Sequence, residues 1–418
     1  MGRTRRQDGK AAFAFIFITV LLDMLALGII VPVLPKLVVQ FKGGDTASAA
    51  TIYGLFGTVW AAMQFIFSPL LGAISDRYGR RPVILISTLG LGLDYFLMAA
   101  APTLGWLFVG RTISGITSAS YATAFAYIAD VTPREQRAAK YGLLGAAFGI
   151  GFIVGPALGG LLGGISLRAP FWLAGALSLA GTAYGWFILP ESLAPERRAR
   201  IRWKLANPLG SLGMLRHGGP ALLGFGASVL LYRLAHDSLP ALFVLYSDYR
   251  FLWSARTVGM VLAAVGVATM LVQGGLVRPT VRKLGERWAM LLGFAFGTLE
   301  FAVMGLAPSA RLFLVSIPFG ALFGLTYPAM QGIMTGLVDD DEQGRLQGAL
   351  ASLTGMAGIV APSLFTNTFS YVIGRWDHAW PSGIPWLIAA VMLVAAGGIA
   401  GWAARRPAPT PNAPPPAR

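Results

Sequence analysis

The 418-residue chain has no cysteine, which excludes disulfides and thiolate metal sites. Histidine is nearly as scarce: His217, His236 and His378 lie far apart and offer no metal-ligand spacing. Charge is thin as well. Asp, Glu, Lys and Arg make up 12% of the residues, against about 25% in soluble domains. No nucleophile–base pair or phosphate-binding loop is recognisable, so an enzyme is the least supported class. The net charge of +15 invites a nucleic-acid reading, but no polar region interleaves aromatic and basic residues, so no nucleic-acid partner is expected.

What the chain does have is apolar sequence, 55% of its residues, with a mean hydropathy of +0.64. It comes in blocks of roughly 20 or more, enough to cross a hydrocarbon core of about 30 Å as helices. Twelve spans are expected near 11–39, 48–72, 82–101, 104–129, 139–165, 169–190, 218–246, 257–277, 288–308, 311–337, 346–373 and 383–404. This predicts an all-α membrane protein in two six-helix halves, 1–190 and 218–404. A basic, amphipathic cytoplasmic linker (191–217) would join them, and a proline-rich disordered tail (405–418) would follow. Of the 33 Lys and Arg residues, 24 lie at the N-terminus, in the even-numbered loops or in the tail. Seven lie in or near the odd-numbered loops, and Arg111 and Arg233 lie inside spans. That asymmetry predicts that both termini are cytoplasmic. The basic start is followed by an apolar run without a small-residue cleavage site, so the first span is expected to be retained.

A shift of 206 positions relates the halves. It carries Gly79 to Gly285, Arg81 to Arg287, Ala101 and Pro102 to Ala307 and Pro308, Tyr121 to Tyr327, Gly142 to Gly348 and Pro156 to Pro362. It also carries Asp94 to Glu300, an acid to an acid in the middle of apolar segments.

Ionisable groups at membrane depth are costly unless they face a partner or a wet cavity. Asp23, Asp94, Glu300 and Arg111 are therefore candidates for proton coupling, with Asp23 or Asp94 the expected partner of Arg111. A static buried ion pair is the alternative reading. Pro32 and Pro35 should break the first helix near its outer end. In span seven, Arg233, His236 and Asp237 share one helix face. With Gln64, Tyr327, Gln331 and Asn367 they are the candidate substrate-binding residues; Gln273 is a further isolated polar group. Between spans two and three, Gly72, Asp76, Arg77, Gly79, Arg80 and Arg81 suit a tight, charged cytoplasmic turn. Asp130 and Arg137 after span four are expected to form a cytoplasmic salt bridge beside it. The acidic run Asp339, Asp340, Asp341 and Glu342 could latch onto the basic loops. Span five places Gly142, Gly151, Gly155, Pro156, Gly159 and Gly160 where close helix packing and a proline kink are possible.

The pattern of Gly72, Asp76, Arg77, Gly79, Arg80 and Arg81 between two spans resembles the loop signature of the major facilitator superfamily. The twelve spans and the parallel repeat agree with that fold. The span-five positions resemble the antiporter motif within that superfamily. Asp23 with Pro32 and Pro35, the stretch from Gly110 to Asp130, and Gln343 to Leu350 resemble the tetracycline efflux proteins of the drug:proton antiporter group. That resemblance covers most of the chain. It implies a monomer in the bacterial inner membrane that exports a small amphipathic compound, with protons as the second partner. It further implies no cofactor beyond the proton gradient, with a Mg²⁺-chelated drug as a candidate cargo. In that family the acids matching Asp23, Asp76 and Asp94, and the arginines matching Arg80 and Arg111, matter for transport. The chain departs from the pattern twice. The family's span-nine acid falls nearest Gly297, with Glu300 one turn on, and His236 and Asp237 stand where the exporters usually have Gly and Gln.

Three readings compete. A proton-coupled exporter is supported by the span-five motif and the buried acids. Proton symport of an imported nutrient or siderophore-like solute is supported by the charged face of span seven. A sensor or assembly protein on a transporter scaffold is opposed by the intact signatures.

Overall fold

The computed structural model describes residues 2–118, 120–198, 207, 209–376 and 381–406. Within them every element is helical. Arg200, Arg202 and Lys204 of the expected linker, His378, and the tail from 407 onward lie outside the described residues.

Among the described residues, ten helical stretches are long and apolar enough to span a membrane. One, Ala255–Leu306, is 52 residues long, or about 78 Å of helix at 1.5 Å per residue. It therefore exceeds a single crossing, and Gly285 (φ 78°) interrupts it. The expected fourth span is divided into helices of 14 and 12 residues. Both features are consistent with twelve crossings.

Two compact units are present, one formed by Met1–Asn207 with Pro240–Val267, the other by Pro208–Leu239 with Ala268–Arg418. In the first unit α1 (Gly2–Ile30) and α2 (Leu34–Phe41) are separated by the turn around Pro32, with Pro35 in the first turn of α2, as the two prolines predicted. They are followed by α3 (Thr46–Tyr78), α4 (Arg80–Ala100), α5 (Leu104–Thr117), α6 (Ser120–Val131), α7 (Arg134–Gly163) and α8 (Ala169–Ile188). Helix α3 starts at Asp45, whose carboxylate accepts from the Ser48 amide (3.1 Å) and hydroxyl. Those bonds hold its carboxyl below the usual range. Helix α1 packs on α7 and α8, α4 on α5 and α8, and α3 on α5.

The short α9 (Gly213–His217) precedes α10 (Gly219–Phe251) and α11 (Ala255–Leu271). These are followed by α12 (Val277–Leu306), α13 (Ala310–Leu314), α14 (Ser316–Phe323), α15 (Thr326–Thr335), α16 (Gln343–Arg375) and α17 (Ile384–Ala403). In the second unit α12 packs on α14, α15 and α17. Phe301 stacks there on the buried Trp386 (6.0 Å, 20°).

The 206-residue repeat is written into the backbone. Gly79 has φ 110°, ψ 158° and Gly285 has φ 78°, ψ 159°, a region essentially reserved for glycine. Ala101 (−52°, 121°) matches Ala307 (−62°, 115°), and Thr103 (−143°, 163°) matches Ser309 (−139°, 155°). The turn between α3 and α4 is tighter than expected. Helix α3 continues through Gly72, Asp76 and Arg77 to Tyr78, so Gly79 alone makes the turn and Gly72 is ordinary helix interior.

The two glycines separate strain from crowding. A Cβ on Gly285 meets nothing within 4 Å, whereas one on Gly79 would strike the Glu191 carboxylate. Gly285→Ala should cost about 1–3 kcal/mol from backbone strain alone. Gly79→Ala should cost more, seen as the larger fall in melting temperature of the purified protein in detergent.

Candidate functional site

In the first unit a cavity of about 270 Å³ opens among α1, α3, α4, α6 and α7. Asp23 and Gln64 supply a carboxyl and an amide to a wall otherwise made largely of Met24, Trp60, Tyr95, Phe148 and aliphatic side chains. Thr19 and Ser118 add hydroxyls. An apolar pocket with a few convergent polar groups is the form small-molecule sites take. Arg111 stands behind this wall, its guanidinium over the Trp60 ring at 5.3 Å, a cation–π arrangement. Helix α5 comes this close because Gly115 lies on the Trp60 backbone, where a Cβ would stand 2.6 Å from the carbonyl oxygen.

Asp94 is not on that wall. It is 1% exposed and lies against Gly110 of α5, where a Cβ would come within 2.7 Å of its Oδ1. Among the described residues neither of its oxygens has a hydrogen-bond partner. The expected ion pair therefore takes a different form. Arg111 is near enough to Asp94 for electrostatic attraction, but among the described residues it makes no hydrogen bond to Asp94 or Asp23. Glu300, the repeat mate, is placed alike: 4% exposed, set against Gly320 of α14, with Oε2 unpaired. At Gly297 the Phe323 ring fills the space a side chain would need.

At the start of α4 a charged clasp forms. Arg80 pairs with Asp76 and with Asp130 (3.2 Å), and donates to the Ser75 hydroxyl (2.7 Å). Ser192 donates to the same Asp130 oxygen at 3.1 Å. Glu191 accepts from the backbone N–H groups of Arg80 (2.9 Å), Arg81 (3.3 Å) and Leu193 (3.0 Å). A carboxylate at a helix N-terminus satisfies orphan donors and opposes the dipole. Arg81 donates to the Trp186 carbonyl at 2.6 Å. Arg77 lies exposed beside Tyr78. The expected Asp130–Arg137 salt bridge is absent. Arg137 instead donates to the carbonyls of Ala129 (2.7 Å) and Thr132 (3.1 Å), closing the C-terminal end of α6. In the sequence Glu191 is simply the first residue of the expected linker. Its role depends on a helix brought back from more than a hundred residues away, which sequence spacing does not show.

The span-five residues Gly151, Gly155, Pro156, Gly159 and Gly160 are all buried, while Phe152, Val154 and Leu158 between them are exposed. Gly151, Gly155 and Gly159, four apart and thus on one face, lie against Met24, Gly28 and Ile29 of α1. A Cβ on Gly155 would stand 2.7 Å from the Gly28 Cα. On another face, Gly160 lies against Ala255 and Gly259 of α11, its Cβ position 2.9 Å from the Gly259 Cα. Near this seam Lys36 pairs with Asp248 and donates to the Trp253 carbonyl at 2.7 Å.

In the second unit Tyr232 of α10 is buried among Phe294 (6.2 Å, 89°), Phe323 (5.1 Å, 54°) and Tyr327 (5.8 Å, 19°), and lies 5.9 Å from His236 at 26°. His236 Nδ1 lies 3.3 Å from Asp237 Oδ1. The Arg233 Nε is buried without an acceptor. Gln331 donates to Gln347 at 3.1 Å. Gln273 sits in a π-helical turn, Val272–Leu276, and Asn367 is exposed on α16. Glu342 of the acidic run is taken by Arg345 at 3.0 Å.

The sequence profile of the Major Facilitator Superfamily matches residues 16–362. The chain is 37% identical over 374 residues to the class C tetracycline resistance protein of Escherichia coli, covering 90% of this chain and 92% of that protein. It is 36% identical over 389 residues to the class H tetracycline resistance protein of Pasteurella multocida, covering 92% and 94%. Among solved structures, a bacterial homolog of the human lysosomal transporter Spinster, inward-facing and unoccupied, matches with a TM-score of 0.78. The identity is 14%, over 95% of this chain and 97% of that one.

Removing the clasp has a local signature. Glu191→Ala should destabilise the protein by about 0.5–2 kcal/mol, the range for a lost helix cap. Hydrogen exchange should quicken at the Arg80 and Arg81 amides; unchanged exchange there would deny the clasp its role.

Proposed function

The chain belongs to the Major Facilitator Superfamily, and from this premise we propose that it exports a small amphipathic, tetracycline-like compound in exchange for protons. It is a multi-pass membrane transporter of small molecules, not an enzyme. The observation that carries the finer reading is the cavity holding Asp23 and Gln64. Its aromatic and aliphatic wall suits a hydrophobic ring system, while the carboxyl and amide answer that ring system's polar edge. The names of the relatives support a tetracycline-like cargo, and we propose that it is carried as its Mg²⁺ chelate.

Asp23 couples cargo to proton because one carboxyl on an apolar wall serves only one of them at a time. A cationic cargo needs the carboxylate, and a proton arriving from the outer side displaces the cargo. Asp94 and Glu300 do not line this cavity but extend the proton route from quasi-equivalent seams. A buried ionised carboxylate without donors is costly, and proton binding removes that cost. Each can therefore bind a proton in one arrangement of its helices and release it in another. The basic loops orient both termini to the cytoplasm of a bacterial inner membrane, where the protein works as a monomer by alternating access.

The test is reconstitution in liposomes with an acidic lumen and a trapped pH dye, followed by tetracycline with Mg²⁺. Drug addition should release protons from the lumen. No proton movement by folded protein would sink the antiport reading. Asp23→Asn and Asp94→Asn should each abolish the drug-driven flux while eluting as monodisperse protein. Wild-type flux in either variant would remove that acid from the coupling route.

A further inference from the structure

The two copies of the glycine turn treat charge in opposite ways. In the first unit the carboxylates of Asp76, Asp130 and Glu191 hold Arg80 and the start of α4. In the second unit none of those three places carries an acid. The 206-residue shift puts Arg282 where Asp76 stands, Gly336 where Asp130 stands and Arg287 where Arg81 stands. Helices α8 and α17 both have 20 residues, and aligning their first residues sets Arg406 in the place of Glu191.

Packing brings the bases of the second unit together. Gly397 of α17 lies on Phe294 of α12, its Cβ position 3.2 Å from that side chain, and Gly401 lies on Leu291 at 3.3 Å. The helices run antiparallel there, so Arg405, one turn beyond Gly401, comes level with Arg287, one turn before Leu291. Arg278, Arg282 and Lys283 are exposed just before the Gly285 turn, and Arg405 and Arg406 are exposed after α17. The Arg287 guanidinium lies 5.7 Å from the Trp288 ring, and its Nε is buried without an acceptor. Arg406 lies 4.4 Å from the Trp402 ring, and both tryptophans are exposed. The acid of this segment, Glu286, is set against Gly332 of α15. Of the acidic run after α15, Glu342 pairs with Arg345. Among the described residues, none of the six bases forms an ion pair with a carboxylate.

The missing partner is an anion from outside the chain. The Gly285 turn interrupts a helical stretch too long for one crossing, which places the bases at a membrane surface. Tryptophans favour the headgroup level, basic clusters there attract anionic lipids, and guanidinium forks match phosphate. We propose that Arg287, Arg405 and Arg406, ringed by Arg278, Arg282 and Lys283, bind the phosphate headgroup of an anionic glycerophospholipid. The lipid supplies the negative charge that Asp76, Asp130 and Glu191 supply in the first unit, and Trp288 and Trp402 lie at the level of its ester groups. The proposal is independent of the cargo and of proton coupling.

The test is native mass spectrometry of the full chain in detergent with equal amounts of dioleoyl phosphatidylglycerol and dioleoyl phosphatidylcholine. The wild type should retain the anionic lipid about tenfold or more over the zwitterionic one. Arg287→Gln and Arg405→Gln should each lower that preference about fivefold, the effect expected for one base near an anionic headgroup. Lys283→Gln, on an exposed side chain, should lower it in the same direction and keeps the test open if either arginine variant fails to fold. Arg375→Gln removes the same charge at the far end of α16 and should leave the preference within about twofold. Inorganic phosphate in millimolar excess should leave the lipid bound. Absence of a preference in the wild type would overturn the proposal, as would an equal loss in Arg375→Gln. Displacement of the lipid by inorganic phosphate would overturn it too, by assigning the bases to a soluble anion.

Discussion

The closeness of α7 to its neighbours is the constraint on which the first unit depends. Helices with ordinary side chains at the contact sit about 8–10 Å apart. Here Gly151, Gly155 and Gly159 bring α7 onto Gly28 and Ile29, and Gly160 meets Gly259 on another face. In lipid there is little hydrophobic force between helices, so association relies on van der Waals contact, which small residues maximise. A seam of that kind has no long side chains to re-pack. It is held as a whole or separated as a whole, which suits an element with two discrete states. The Lys36–Asp248 pair and the Lys36–Trp253 bond add a polar fastening to it.

Charge is distributed by cost. Arginines and acids that can reach water or one another are gathered at helix ends, as in the clasp of Asp76, Arg80, Asp130 and Glu191. At membrane depth, among the described residues, both oxygens of Asp94 and Oε2 of Glu300 have no hydrogen-bond partner, and these acids sit against glycines, Asp94 on Gly110 and Glu300 on Gly320. Glycine gives the carboxyl room but no partner. Such a site responds to small movements of the facing helix, because either water or a donor can enter when the seam loosens. That links helix packing to proton occupancy without requiring a direct salt bridge.

Much of the fold was legible in the sequence because its signals are local. Apolar run length places the crossings, Pro32 and Pro35 mark the break between α1 and α2, and the repeat of Gly79 at Gly285 reappears as shared glycine-only dihedrals. The close-packed role of the span-five residues was also readable from their spacing. What was not legible depends on which helices meet. Arg111 takes the Trp60 ring, Arg137 takes the carbonyls of its own preceding helix and not Asp130, and Glu191 reaches back to α4. Gln347 as the partner of Gln331, and the rings around Tyr232, likewise arise from tertiary neighbours that no periodicity records.

If transport proceeds by opening the seam near Lys36, then holding it shut must stop transport. The chain has no cysteine, so Lys36→Cys with Asp248→Cys introduces the only thiols, and a short reducible methanethiosulfonate linker can bridge them. In proteoliposomes the bridged protein should show no drug-driven proton release, and a reductant should restore it. Full-rate exchange by fully bridged protein would contradict the seam as the part that opens.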